Sequence, residues 1–143
     1  MKQQYTLGFI FNEALDHVVL MHKAKPEWQA GKLNGIGGKV EEGEDHLSCM
    51  VREAKEETNL ETRHGDWVFL GEMGSDGWGM QVFTLTHIGD MQAIQSMEAE
   101  KVEWFPVAAL PDNVLGNLYW LVPLAIDKIK NQEFKKFVFH YNS

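Results

Sequence analysis

Gly38–Leu60 reads GKVEEGEDHLSCMVREAKEETNL, with Glu53, Glu56 and Glu57 placing three carboxylates within five residues. At about 100° per helical residue these three share one arc, while Leu47, Met50, Val51 and Ala54 share the neighbouring arc and are expected to face a core. Like charges at i,i+3 and i,i+4 each cost roughly 0.2–0.5 kcal/mol. A divalent cation removes that penalty, and hard carboxylate oxygens suit Mg²⁺ or Mn²⁺. A solvated acidic face is the competing interpretation, and the three glutamates alone do not decide between the two.

The flanking residues do. Gly37 and Gly38 precede the helix, Glu44 opens it, and the spacing is G-x5-E-x7-R-E-U-x-E-E-x-N-U, with U apolar. This resembles the Nudix box, G-x5-E-x7-R-E-U-x-E-E-x-G-U, at Gly38, Glu44, Arg52, Glu53, Ala54, Glu56, Glu57 and Leu60. The chain departs at Asn59, where the family has Gly. That position follows the last helical turn, where a left-handed residue commonly ends a helix. Asn tolerates positive φ, so Asn59 is expected to keep the turn.

With 143 residues, 44% of them hydrophobic, the chain suits one domain over 1–143 with a sizeable core. No apolar run approaches the ~18–20 residues that span a bilayer, and no membrane partner is expected. The N-terminal stretch lacks a small-residue cleavage site and reads as a strand. A lone cysteine, Cys49, rules out an internal disulfide framework and points to a reducing cytoplasm. Neighbouring carboxylates would suppress its thiolate, so Cys49 is expected to pack rather than react. The net charge of −8 disfavours a nucleic-acid polymer as partner. It leaves a small nucleotide compatible, because a bound metal inverts the local sign.

No repeat or linker divides the chain. Strands are predicted at Tyr5–Asn12, His17–His22, Asp66–Met73, Met80–Ile88 and Val102–Val107, with helices at Asp45–Thr58 and Asn117–Lys130. Lys23–Lys32 is expected to be a loop. Asn34–Gly38 looks too glycine-rich for regular structure and is expected to be a bend with close backbone approach. Pro123 limits or kinks the second helix. The tail Phe134–His140 reads as a last strand or extended segment, apolar enough for a homodimer interface or for covering its own core, so a monomer and a homodimer are both compatible. Strands mixed with two long helices suggest an α/β (α+β) fold, and the resemblance implies a Nudix-type α/β/α sandwich with a mixed sheet between helices.

The resemblance also implies Mg²⁺-dependent hydrolysis of a nucleoside diphosphate linked to a group X, by water attack at phosphorus. Polyphosphate repels a nucleophile until cations neutralise its oxygens. Glu53, Glu56 and Glu57 then form the expected metal set, joined by a carbonyl of Gly37 or Gly38, with one glutamate orienting the water. Arg52 is placed to fix the rotamer of Glu53 or Glu56, and Glu44 to act behind them or at the helix start, where the macrodipole favours a carboxylate. Many relatives add a carboxylate from a loop before an aromatic landmark. Here Glu98, Glu100 and Glu103 precede Trp104-Phe105, and Glu100 is preferred over Glu98.

Asn34-Gly35-Ile36-Gly37-Gly38 is similar to the version found in MutT-type hydrolases of oxidised purine triphosphates such as 8-oxo-dGTP. There the Asn contacts the purine, so Asn34 is implied as the base reader; its amide both donates and accepts. Turn chemistry before Gly35 is the ordinary alternative. Asn117 stands where relatives use an acidic residue. Trp28, Trp78, Trp120 and Tyr5 are stacking candidates, Trp78 the most exposed in appearance, and Lys23 and Lys39 are candidates for phosphate contacts. ADP-ribose, dinucleoside polyphosphates and dihydroneopterin triphosphate are alternative substrates. A non-catalytic nucleotide-binding module is disfavoured, because Arg52, Glu53, Glu56 and Glu57 are all present.

Overall fold

Alternation along the first two strands organises the layers. A computed structural model describes residues 2–131 and 133–142. In β1 (Gln3–Asn12) and β2 (His17–His22), Leu7, Phe9, Phe11, Val18 and Leu20 join one buried cluster, while Ile10, Val19 and Met21 join another. Strands buried on both faces need cover on both. Helix α1 (His46–Thr58) covers one face with Met50 and Ala54, and α2 (Leu118–Lys130) covers the other with Leu118, Leu121, Val122 and Ala125. Burying a Leu or Val contributes roughly 1.5–3 kcal/mol, so these contacts hold the helices far more firmly than helix propensity does. The expected α/β/α sandwich with a mixed sheet is what forms.

The remaining strands are β3 (Leu33–Asn34), β4 (Ile36–Lys39), β5 (Val68–Gly74), β6 (Trp78–His87), β7 (Val102–Pro106) and β8 (Phe137–His140). The sheet has eight strands in the order β3-β2-β1-β6-β5-β8, with β4 on β1 and β7 on β2. β1 and β6 run parallel from Gln3↔Trp78 to Asn12↔His87, while β4 and β1 are antiparallel from Tyr5↔Lys39 to Gly8↔Ile36. Among the described residues no helix is long and apolar enough to cross a membrane.

The glycine-rich segment departs from expectation. The segment is strand but for Gly35: Asn34 ends β3 on β2 and Ile36–Gly38 lie in β4 on β1, because ladder hydrogen bonds offset the entropy that glycines lose. Its close backbone approach is nonetheless present: at Gly37, with φ 144°, a Cβ would fall 2.1 Å from the Thr6 carbonyl oxygen. As predicted, α2 continues through Pro123, which lies in its early turns. The tail strand is confined to Phe137–His140.

Asn59 ends α1 in the left-handed region at φ 65°, its N–H donating to the Lys55 carbonyl at 3.0 Å. The helix begins within one residue of the predicted start, and of the two places expected for Glu44 the structure shows the one behind the acidic arc. Asp45 is the cap, its Oδ1 accepting from Ser48 N–H at 2.7 Å, and Glu44 turns to Arg52 instead. Cys49 is buried beside Thr6, and burial above all, with Glu44 and Glu53 adding to it, pushes its thiol up to about 11.

Candidate active site

Helix α1 lays its acidic arc against the backbone of β4. Gly37 N–H donates to Glu57 Oε1 at 2.9 Å. The Glu53 carboxylate lies so close to Gly38 that a Cβ there would be 2.6 Å from Oε1. Burial, then the neighbouring Glu53, pushes the Glu57 carboxyl up to about 8, although Gly37 N–H and Lys23 pull the other way. Burial likewise raises Glu53, with Glu56 and Glu98 adding to it against the pull of Arg52. Two adjacent carboxylates are thus both held in surroundings that disfavour their charge.

Arg52 is the counterweight. Its Nε and Nη2 meet Glu44 at 2.8 and 3.0 Å in a two-pronged pair, and Nη1 meets Glu53 at 2.9 Å and Glu56 at 3.2 Å. Nη2 also donates to the Lys39 carbonyl at 3.2 Å, which ties the helix to β4. Pairing with Arg52 holds the Glu44 carboxyl at about 2 against a smaller opposing effect of burial. Forked pairs of this kind add direction as well as energy.

Gly37 and Gly38 also line a cavity of about 760 Å³, a size suited to a small ligand. Its lining draws Asn34 from β3, Tyr5 and Leu7 from β1, Trp78 and Met80 from β6, Met73 from β5, and Asn117 from the start of α2. Asn34 Nδ2 donates to Gln29 at 3.2 Å, and its Oδ1 accepts from Gly35 N–H at 2.8 Å, so it performs the turn chemistry while facing the cavity. Asn117 Oδ1 is buried without a hydrogen-bond partner among the described residues. An unsatisfied buried acceptor of this kind costs about 1–3 kcal/mol and favours a ligand that donates to it.

The NUDIX domain profile matches residues 1–122. The chain belongs to the Nudix family. It is 29% identical over 131 residues to the mouse oxidized purine nucleoside triphosphate hydrolase, covering 86% of this chain and 77% of that one. It is 32% identical over 91 residues to the NAD-capped RNA hydrolase NudC of Pseudomonas fluorescens, covering 60% of this chain. The chain spans only about a third of the length of such NudC relatives, 31% in that case. Among solved structures, a MutT/nudix family protein of Enterococcus faecalis superimposes with a TM-score of 0.75 at 16% identity, over 92% of this chain and 63% of that one. A MutT protein of Bacillus halodurans gives 0.64 at 24% identity, over 98% and 90%.

Within this Nudix domain the expected residues are not all gathered. Glu56, its side chain 49% exposed, shares Arg52 Nη1 with Glu53, at 3.2 and 2.9 Å. Among the described residues no three His, Cys, Asp or Glu side chains stand together as a ready-made ligand group, and Arg52 Nη1 bridges Glu53 and Glu56. Nudix hydrolases generally use divalent metal ions. The donor chemistry fits one: Glu53 and Glu57 offer hard oxygens in surroundings that disfavour their charge despite Arg52 and the Gly37 N–H, beside the carbonyls of β4.

The preferred loop carboxylate, Glu100, is committed elsewhere. It accepts from Ala24 N–H at 2.6 Å and Lys25 N–H at 3.2 Å, and Lys23 Nζ stands 3.3 Å away. Burial raises its carboxyl, but those donors outweigh it and leave the group lowered. Exposed Glu98 is the loop carboxylate whose charge bears on both Glu53 and Glu57.

Lys23, Lys39, Trp78, Tyr5 and Trp28 all line the cavity. Trp78 is half-buried rather than exposed, because it packs on the core, and Trp28 is the solvent-facing one at 69%. Trp120 packs edge-on against Phe139 at 4.7 Å and is absent from the lining. Gln29 and Tyr141 were not foreseen. Neither carries a local signal, since each reaches the cavity only through the path of its segment.

Proposed function

We propose that this Nudix domain hydrolyses purine nucleoside triphosphates, oxidised ones such as 8-oxo-dGTP included, to monophosphate and pyrophosphate. The supporting observation is the shared wall Gly37-Gly38, with two crowded carboxylates against it and a nucleotide-sized cavity lined by it. Glu53 and Glu57, with a carbonyl of Gly37 or Gly38, would hold Mg²⁺ or Mn²⁺. When bound, the ion neutralises phosphate charge and makes water a better nucleophile.

The chain's own residues supply the rest. Arg52 orients Glu53 and keeps Glu56 nearby, Glu98 adds a carboxylate able to position water, and Lys23 and Lys39 meet phosphate oxygens. Asn34 and Asn117 read the base edge. The bare Oδ1 of Asn117 calls for a base N–H, which purines carrying an amino group or a protonated ring nitrogen provide. Similarity to the mouse oxidised-purine hydrolase over most of the chain supports the same reading. A reducing cytoplasm suits the buried thiol of Cys49.

A Mg²⁺-dependent panel of dGTP, 8-oxo-dGTP, dATP, pyrimidine triphosphates, ADP-ribose, NAD, dihydroneopterin triphosphate and a dinucleoside polyphosphate tests this. The expected result is pyrophosphate release from the purine triphosphates, abolished by EDTA. Preference of about tenfold or more for a substrate outside that class would overturn the assignment.

A further inference from the structure

The family profile ends at residue 122, yet the tail of the chain reaches the cavity. β8 lies parallel to β5 in the register Gly71↔Phe137 to Gly74↔His140. Gly71 makes this seating possible. A Cβ there would meet the Phe137 ring at 2.4 Å and its carbonyl oxygen at 2.5 Å. Phe137 is 8% exposed and stands edge-on to Trp120 at 6.1 Å. A strand anchored in this way fixes the residue that follows it. Tyr141 N–H donates to the Gly74 carbonyl at 2.7 Å. Its ring centroid is 5.8 Å from that of Trp78 at an interplanar angle of 33°, and its Oη is 3.8 Å from Met73 Sδ.

Tyr141, Trp78 and Met73 all line the cavity. By strand order the lining passes from Asn34 on β3 to Met73 on β5, beside β8 at the sheet's end. Gln29, Asn34 and Asn117 bring amide groups to this lining, and Tyr141, Trp78, Met73 and Met80 bring aromatic rings and thioethers. We infer that Tyr141 is a specificity-determining residue of this cavity: with Trp78 it forms the aromatic wall against which the planar part of the ligand packs, and it limits how large a group is admitted there. The inference rests on the nucleotide reading above. Flat, apolar ring faces suit base stacking, which tolerates different bases, so this wall sets affinity and size rather than donor pattern.

The test compares Tyr141→Ala, Tyr141→Phe and Val138→Ser, the last on the strand that leads into Tyr141 but outside the cavity lining. Calorimetry gives Kd for dGMP with Mg²⁺, and steady-state assays give kcat and KM for dGTP and diadenosine tetraphosphate. Tyr141→Ala is expected to raise Kd and KM about tenfold, to leave kcat within about twofold, and to shift preference toward the bulkier dinucleotide. Tyr141→Phe and Val138→Ser should resemble wild type. Unchanged Kd in Tyr141→Ala overturns the inference, as does equal weakening in Val138→Ser, which would trace the effect to a loosened strand. A wild type that turns over no triphosphate defeats the proposed function alone, because the dGMP comparison still decides Tyr141.

Discussion

Glu57 is 5% exposed, faces Glu53, and has its carboxyl pushed up to about 8 by burial and that neighbour. A carboxyl raised on folding gives stability that is fully present below its unfolded value, near 4.5, and is lost as pH climbs toward 8. Glu57→Gln keeps an acceptor for Gly37 N–H and removes the charge. It should therefore raise the metal-free Tm at pH 8 by about 2–6 °C and leave it nearly unchanged at pH 4. The same variant should lose at least ~100-fold in turnover, and Mg²⁺ should stabilise it less than wild type. Thermal melts at both pH values, with and without Mg²⁺, check the prediction. A Tm that falls at pH 8 would mean the charge is already well accommodated.

At the scale of elements, β4 and α1 act as a pair. The helix supplies carboxylates and the strand supplies N–H groups, carbonyls and the absence of side chains. Gly37→Ala would set a Cβ against the Thr6 carbonyl at a backbone angle of φ 144°. The expected destabilisation is about 3 kcal/mol or more, readable by urea denaturation, with β4 displaced from Glu57. The acidic arc, the apolar arc and the left-handed stop at Asn59 were all legible in advance, because each follows from helical periodicity or from one residue's backbone preference. The strand character of Ile36–Lys39 was not. Glycine content argues against regular structure locally, and only pairing with β1 reverses that.

Across the whole molecule, loops distant in sequence decide what the site contains. Glu100 clamps Ala24 and Lys25 and so couples the 96–101 loop to the loop bearing Lys23 and Trp28. Glu100→Gln should mainly raise KM, by about 3–10-fold, while Glu98→Gln should mainly lower kcat. Steady-state kinetics on dGTP separates the two, and the reverse pattern would return Glu100 to the chemistry. From the sequence, Glu100 was preferred over Glu98 among three glutamates within six residues before Trp104, but their partners, backbone N–H groups for Glu100 and His22 for Glu103, are set by distant segments.

The sequence by itself determined the acidic helix of the Nudix family: a 23-residue stretch whose helical period separates carboxylates from core, with Arg52 at the border and Asn59 as its stop. Local periodicity and backbone preference are enough for that. Tertiary structure alone decided the cavity, the unmet acceptor of Asn117, the pairing of Glu100 with the Ala24 and Lys25 N–H groups and the arrival of Tyr141 beside Trp78. Those features join residues up to the length of the chain apart. Their proximity is set by which strand pairs with which, and no local pattern encodes that pairing.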